Sequence, residues 1–300
     1  MQDLRIALAQ ITCPVGELAA NVEKHCQFAR RAADGGARII CFPECSLTGY
    51  PKYTDERMHG FAQPLDGELA QQMVALCAET GLLVLAGMIE QGADGVLYNT
   101  QLVAGPEGVV GAYRKTHISD LEGAFFGAGD KLEVFSHERA NFGVLICYDN
   151  HFPEAARTLG LRGAEVLFCP YGSPGPCSPE GYEAKQTRWL RYLTARALDN
   201  SLYVAVVNHI GQSGYPREEP LTDTPRPEDT HVGVREYPGG SMVLNPWGQK
   251  IARASVGTED LLIVDLEAQT MREKREDELQ YFERFRRPDL YGELTRVVKV

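Results

Sequence analysis

Cys147 ends the apolar run Phe142-Gly-Val-Leu-Ile-Cys147 and is followed by Tyr148-Asp149, so a thiol stands where a buried strand gives way to a turn. Sharp strand-to-helix geometry at such a point presents a nucleophile to a cleft. A cysteine attacks only as thiolate, and with an ordinary pKa of about 8.5 it needs a base or a cation at hand. Glu44 closes a second run, Ala37-Arg-Ile-Ile-Cys-Phe-Pro-Glu44, and Lys115 follows a third, Gly108-Val-Val-Gly-Ala-Tyr-Arg-Lys115. Strand ends are where layered α/β proteins bring polar groups to a ligand crevice. Glu44 suits the base. Lys115 and the N–H of Tyr148 suit an oxyanion, at roughly 3 kcal/mol per donor. Taken singly, each has a plainer reading: a small buried hydrophobe, a capping or surface acid, a solvated lysine. The combination carries the argument.

The segments Phe42-Pro43-Glu44, Tyr113-Arg114-Lys115-Thr116-His117 and Ile146-Cys147-Tyr148-Asp149 with Phe152-Pro153-Glu154 resemble, in order and separation, the three signature blocks of the nitrilase superfamily. These are carbon–nitrogen hydrolases with a Glu-Lys-Cys triad. The likeness extends through Leu121-Glu122, Phe126, Gly129-Asp130, Gly163 to Val166, Gly239-Gly240-Ser241 and Asn245 to Gly248. It runs from about residue 4 to about residue 265, with a family-like tail from Arg286 to Tyr291. It implies an α/β fold, a four-layer α-β-β-α sandwich with mixed sheets. It also implies catalysis by Glu44, Lys115 and Cys147 through a thioester, with no cofactor and no metal. Glu122 matches a second glutamate that orients substrate or helps Lys115. Tyr50 lines the pocket or packs beneath it, and Asp149 and Glu154 hold structure.

True nitrilases typically follow the cysteine with Trp-Glu-His. Tyr148-Asp149-Asn150 favours carboxamides or carbamoyl compounds instead. The N-carbamoyl-D-amino-acid hydrolase branch shares the look of Gly160 to Glu165 and Tyr171 to Pro174, but it carries arginines after the cysteine to pair a substrate carboxylate. Asn150 and His151 stand there in this chain; with Tyr148 they are expected to support the site or orient substrate, and His151 could still hydrogen-bond substrate. The expected reaction is hydrolysis of a small or medium carboxamide to a carboxylic acid and ammonia. Carbamoyl hydrolysis, nitrile hydrolysis, acyl transfer and a non-catalytic scaffold are the alternatives.

Composition narrows the partners. Thirty basic against 41 acidic side chains give a net charge of −11, which offers no basic stripe for nucleic acid or anionic membrane. The amino terminus turns polar too soon for a secretory segment, and no apolar stretch approaches membrane-spanning length. A cytoplasmic enzyme with a small-molecule amide or carbamoyl substrate is expected, and the resemblance adds a homodimer or higher homo-oligomer. None of the eight cysteines shows metal-ligand spacing, so all but Cys147 read as free thiols, and Cys45, beside Glu44, could line the pocket.

Hydrophobic periodicity predicts strands at 4–9, 38–42 and 82–89 with helices at 17–34 and 67–80, then a hairpin of 99–104 and 109–113 around Gly105-Pro-Glu-Gly108. After Cys147 it predicts a helix near 153–162, a strand at 165–169, a helix near 180–199 and strands at 202–207, 241–245, 249–254 and 260–265. No internal repeat is legible. Residues 1–270 form the expected hydrolase domain. The charge-mixed, helix-capable stretch 271–300 is an extension that family behaviour places at an oligomer interface. Ser213 to Pro238, rich in proline and charge, reads as a long loop, either a lid or partner contact or a solvated insertion.

Overall fold

A computed structural model describes residues 1–51, 56–119, 122–214 and 234–296. The first half alternates β1 (Leu4–Gln10), α1 (Leu18–Asp34), β2 (Ile39–Cys41), α2 (Glu68–Thr80) and β3 (Leu83–Gln91), then adds the hairpin β4 (Leu97–Gly105) and β5 (Gly108–Arg114). The second half has β6 (Val134–His137), β7 (Ala140–Val144), α3 (Pro153–Leu161), β8 (Val166–Tyr171), α4 (Pro179–Asn200) and β9 (Tyr203–Asn208). The ribbon β10 (Ile210–Gly214) and β11 (Val234–Pro238) follows, then β12 (Met242–Leu244), β13 (Lys250–Arg253), β14 (Asp260–Leu266) and α5 (Ala268–Glu276).

Two six-stranded mixed sheets result, ordered β14-β1-β2-β3-β4-β5 and β13-β12-β9-β8-β7-β6. In the first, β1, β2 and β3 run parallel, with antiparallel partners on both flanks. In the second, β7, β8 and β9 do the same, flanked by β6 and β12. The two halves therefore repeat one topology, with a helix in each parallel crossover, as the handedness and length of such connections require. This repeat is absent from the residue pattern, since only the backbone path is shared.

Strand alternation sets the layers. On β1, Leu4, Ile6 and Leu8 face the second sheet, where they pack with Phe142, Val144, Phe168 and Val204. Ala7 and Ala9 face the other way, onto Phe28 and Ala32 of α1 and Met73 of α2. Both faces of each sheet are thus buried, each large apolar side chain contributing roughly 1.5–3 kcal/mol. Helices on the outer face of each sheet and the two sheets packed together give the four-layer α-β-β-α sandwich. α4 begins at an N-cap, with Ser178 Oγ accepting from Gly181 N–H at 3.1 Å and Pro179 at the first helical position.

Three expectations change. The long loop after Ser213 begins and ends as an antiparallel ribbon, β10 with β11, in which Ile210 pairs with Pro238 and Gly211 with Tyr237, and both Ile210 and Tyr237 are buried. Residues 215–233 lie outside the described set. The short edge strand β6 was not expected. The tail is helical only to Glu276 and continues as isolated turns at Phe282–Phe285, Pro288–Leu290 and Gly292–Thr295. None of those turns has a buried residue to hold a longer helix.

Candidate active site

Glu44 sits three residues beyond β2 in a loop pressed against β3. A Cβ on Gly87 would stand 2.2 Å from Cys45 N and 2.5 Å from Pro43 O, so only glycine lets this loop close. Cys45 accepts the left-handed conformation, φ 50°. The Glu44 side chain is fully buried. Its Oε1 accepts from Asn99 Nδ2 at 2.8 Å and Lys115 Nζ at 2.9 Å, and its Oε2 from the Gly172 N–H at 2.5 Å. His209 Nε2 holds the Glu44 carbonyl at 2.6 Å.

Lys115 is the first residue past β5 and is anchored through its own backbone, N–H to Asn99 O and carbonyl to Gly129 N, both at 2.8 Å. Its ammonium also meets Glu122, at 2.8 Å to Oε1 and 3.0 Å to Oε2. Glu122 is held in turn by Tyr50 OH at 2.7 Å and Ser119 Oγ at 3.0 Å. One cation thus lies between two carboxylates.

Cys147 comes from the second sheet. β7 ends at Val144, and Cys147 opens a short 3-10 turn, Cys147–His151, with φ 43°. A non-glycine residue in that region costs roughly 1–2 kcal/mol and needs surrounding structure to hold it. Asp149 supplies much of that structure. Its Oδ2 accepts from Ile146 N–H at 3.0 Å and Tyr113 OH at 2.9 Å. Its Oδ1 accepts from Thr116 Oγ1 at 3.0 Å, and from His117 N–H and Nδ1 at 2.8 Å each. One carboxylate ties the cysteine turn to the segment carrying Lys115. The Gly172 N–H that binds Glu44 also faces the Cys147 sulfur, so the acid and the thiol meet at one amide.

The structure therefore brings Glu44, Lys115, Cys147, Glu122 and Tyr50 together. The Tyr148 N–H is the second amide of the 3-10 turn, where N–H groups lack acceptors within the helix, and the Tyr148 ring is 40% exposed. His151 is exposed, its ring 4.6 Å from that of Tyr192, and burial with the charges of Arg188 and Arg196 lowers its pKa. Asn150, expected either to support the site or to orient substrate, lies beneath the cysteine turn. It is fully buried, donating to Leu145 O at 2.9 Å and Cys147 O at 3.2 Å, while its Oδ1 faces the Cys169 thiol at 3.1 Å. Both ends of its amide are used beneath the turn, so it supports the nucleophile from behind. Cys45 is likewise buried, its thiol toward Asn99 Oδ1 at 3.4 Å.

Asn99, Gly172, His209 and Lys185 belong to this neighbourhood, and sequence reasoning missed them. Their elements were legible, but nothing local marks a strand asparagine or a post-strand glycine as a contact of Glu44. Lys185, buried on α4, offered the one available signal, a lysine on a helix face otherwise lined by Tyr182 and Trp189.

The electrostatics follow from this packing. Burial opposes the Lys115 charge, but the negative groups around it, Glu44 foremost, raise its pKa well above the lysine range. Burial also pushes Glu122 upward, and the Lys115 charge with hydrogen bonds from Lys115, Tyr50 and Ser119 brings it below the ordinary glutamate value. The Cys147 thiol is raised well above 9 by burial and then by Glu44, with Lys115 only partly offsetting them. The resting thiol is protonated, so attack requires a base at the moment of reaction. Among the described residues no cluster of side chains is arranged to hold a metal, and no helix is long and apolar enough to cross a membrane.

Residues 5–276 match the family model for the carbon-nitrogen hydrolases. A nitrilase from Pyrococcus abyssi is 30% identical across 96% of this chain and 99% of its own. The human omega-amidase NIT2 is 31% identical across 97% and 98%. Among solved structures, a carbon-nitrogen hydrolase from Helicobacter pylori superimposes with a TM-score of 0.84 at 22% identity, covering 98% of this chain and 99% of that one. An amidase from Nesterenkonia sp. AN1 superimposes with a TM-score of 0.73 at 23% identity, covering 97% and 99%. The chain belongs to the carbon-nitrogen hydrolase family.

Proposed function

We propose that this chain hydrolyses the carbon–nitrogen bond of a small or medium carboxamide, giving a carboxylic acid and ammonia, with Cys147 as nucleophile. The observation that carries this reading is the shared Gly172 amide, which holds the Glu44 carboxylate beside a protonated Cys147 thiol while Lys115 stands on the same carboxylate. Glu44 takes the thiol proton as sulfur attacks the amide carbon. The carbonyl π electrons move to oxygen, and Lys115 and the Tyr148 N–H stabilise that oxyanion. Glu44 returns the proton to the nitrogen, the C–N bond breaks, and ammonia leaves a thioester on Cys147. Glu44 then deprotonates a water that attacks the thioester, and the thiolate departs, recovering its proton from Glu44. Glu122 keeps Lys115 charged and in place throughout.

The names of the relatives, amidase and omega-amidase, agree with this substrate class. A cytoplasmic homo-oligomer contacting itself through the tail beyond residue 270 completes the proposal. Leu279, Phe285, Leu290 and Leu294 are each more than 60% exposed there, an apolar surface suited to a second copy. The test is ammonia release across carboxamides, N-carbamoyl compounds and nitriles, with Cys147→Ala and Cys147→Ser in parallel. Carboxamide turnover that disappears in both variants is expected. Turnover surviving in Cys147→Ala overturns the mechanism, and turnover confined to nitriles overturns the substrate class.

A further inference from the structure

Lys185 projects from the second turn of α4 and is buried, against Trp189 at 5.8 Å from the ring centroid. Its ammonium donates to Ser173 Oγ at 3.0 Å and to the Pro174 carbonyl. Ser173 directly follows Gly172, whose N–H meets both Glu44 and Cys147. The ammonium is thus one residue of chain away from the reaction centre, near enough that an ionised Cys147 raises its pKa.

Among the described residues Lys185 has no counter-ion. Arg188 and Cys147 are the charged or titratable groups that act on it among the described residues, and no carboxylate is included. The acids on the other side of the cleft, Glu44 and Glu122, are both bonded to Lys115. Arg188, exposed on the same helix, adds a second positive charge rather than a partner. Burial, followed by the Arg188 charge, accordingly brings Lys185 down to about 8. A buried cation with only neutral acceptors is costly unless an anion arrives to pair it. Meanwhile, the positions after the cysteine that would carry arginines for a substrate carboxylate hold Asn150 and His151. Asn150 is turned away beneath the turn.

We propose that Lys185 is the specificity-determining cation of this site, receiving a carboxylate at the far end of the substrate, so that the substrate is the monoamide of a dicarboxylic acid. The inference rests on the amide-hydrolase reading above and names its substrate class. The carboxylate pairs with the third N–H of Lys185, its positive surroundings strengthened by Arg188, while the amide carbon lies over Cys147. The charge is supplied from α4 instead of from the cysteine turn.

The test compares monoamides of straight-chain C4 to C6 dicarboxylic acids with neutral amides in which the carboxylate is replaced by an isopropyl group. Both series are run on the wild-type chain, Lys185→Met and Lys185→Arg. The wild type favours the acidic series. In Lys185→Met the acid-to-neutral ratio of kcat/KM falls roughly 30- to 100-fold, mostly through KM, because a charge-assisted hydrogen bond is lost. Lys185→Arg restores most of it. A wild type that shows no preference for the acid, or a Lys185→Met variant that slows both series equally, overturns the proposal and makes Lys185 a brace for the 172–174 loop. If no carboxamide of either series turns over, the hydrolase reading fails. Lys185 is then judged by calorimetric binding of glutarate to wild-type protein and Lys185→Met. Binding lost in the variant supports the subsite, and binding equal or absent in both overturns it.

Discussion

Asp149→Asn separates the architecture of the site from its chemistry. The carboxylate accepts five hydrogen bonds, three at Oδ1 from Thr116 and His117 and two at Oδ2 from Tyr113 and Ile146. An asparagine keeps one oxygen. Placed with its oxygen at the Oδ1 position, its NH2 faces the Tyr113 hydroxyl, which can turn to accept, and the Ile146 N–H, which cannot. A buried N–H without a partner costs about 2 kcal/mol, and each of the three remaining bonds loses about 1 kcal/mol when its acceptor loses charge. The sum is about 5 kcal/mol. With an unfolding entropy of about 2.1 cal/mol/K per residue, the 300-residue chain should melt about 8 °C lower. Because the weakened bonds from Thr116 and His117 and the reversed bond to Tyr113 join the Cys147 turn to the Lys115 segment, the two groups drift apart, and a displacement of about 1 Å costs about 100-fold in kcat. Thermal melting and ammonia release on the best carboxamide read the two effects. A melting point within 2 °C of wild type, together with kcat within twofold, would refute the claim that this carboxylate assembles the site.

Two further outcomes follow from buried groups. Gly87→Ala drives a Cβ into the backbone of Pro43 and Cys45, so the loop holding Glu44 must move; activity should fall at least tenfold with a loss of about 3 kcal/mol of stability, and a variant of normal kcat would show that the loop tolerates the shift. His209 is held neutral by burial, its pKa lowered to about 4 from 6.5. The unfolded chain takes up that proton first, so the stability is complete above pH 6.5 and is lost as pH falls toward 4, by about 3 kcal/mol in all. His209→Gln, which can still donate to the Glu44 carbonyl, should flatten the fall in melting temperature over that window, and an unchanged slope would assign the acid sensitivity to other groups.

The legible part of this molecule is what repeats locally. Apolar runs ending in Glu44, Lys115 and Cys147 mark strand ends, and the Gly105 to Gly108 turn marks the β4–β5 hairpin, because turn chemistry and alternation act over a few residues. What stayed hidden depends on distance along the chain. Gly172 and Glu44 are 128 residues apart, and Asn99 reads only as the first residue of a hairpin strand until the fold turns its amide toward Glu44. β11 and the end of β10 read as loop because each strand is short and the partner lies beyond a stretch rich in proline and charge. The sequence leaves Asn150 either supporting the site or orienting substrate, because the side to which its amide turns is set by the 3-10 turn, which rotates successive residues by about 120° and carries that amide underneath.

Glu44 and Lys115 hang from one sheet, and Cys147 and Gly172 from the other. Neither half of the chain holds a complete site. A folding intermediate with one sheet formed has an acid and a cation without a thiol, or a thiol without its base. Activity therefore requires both sheets to be formed and packed together, and its return during refolding reports that joint event.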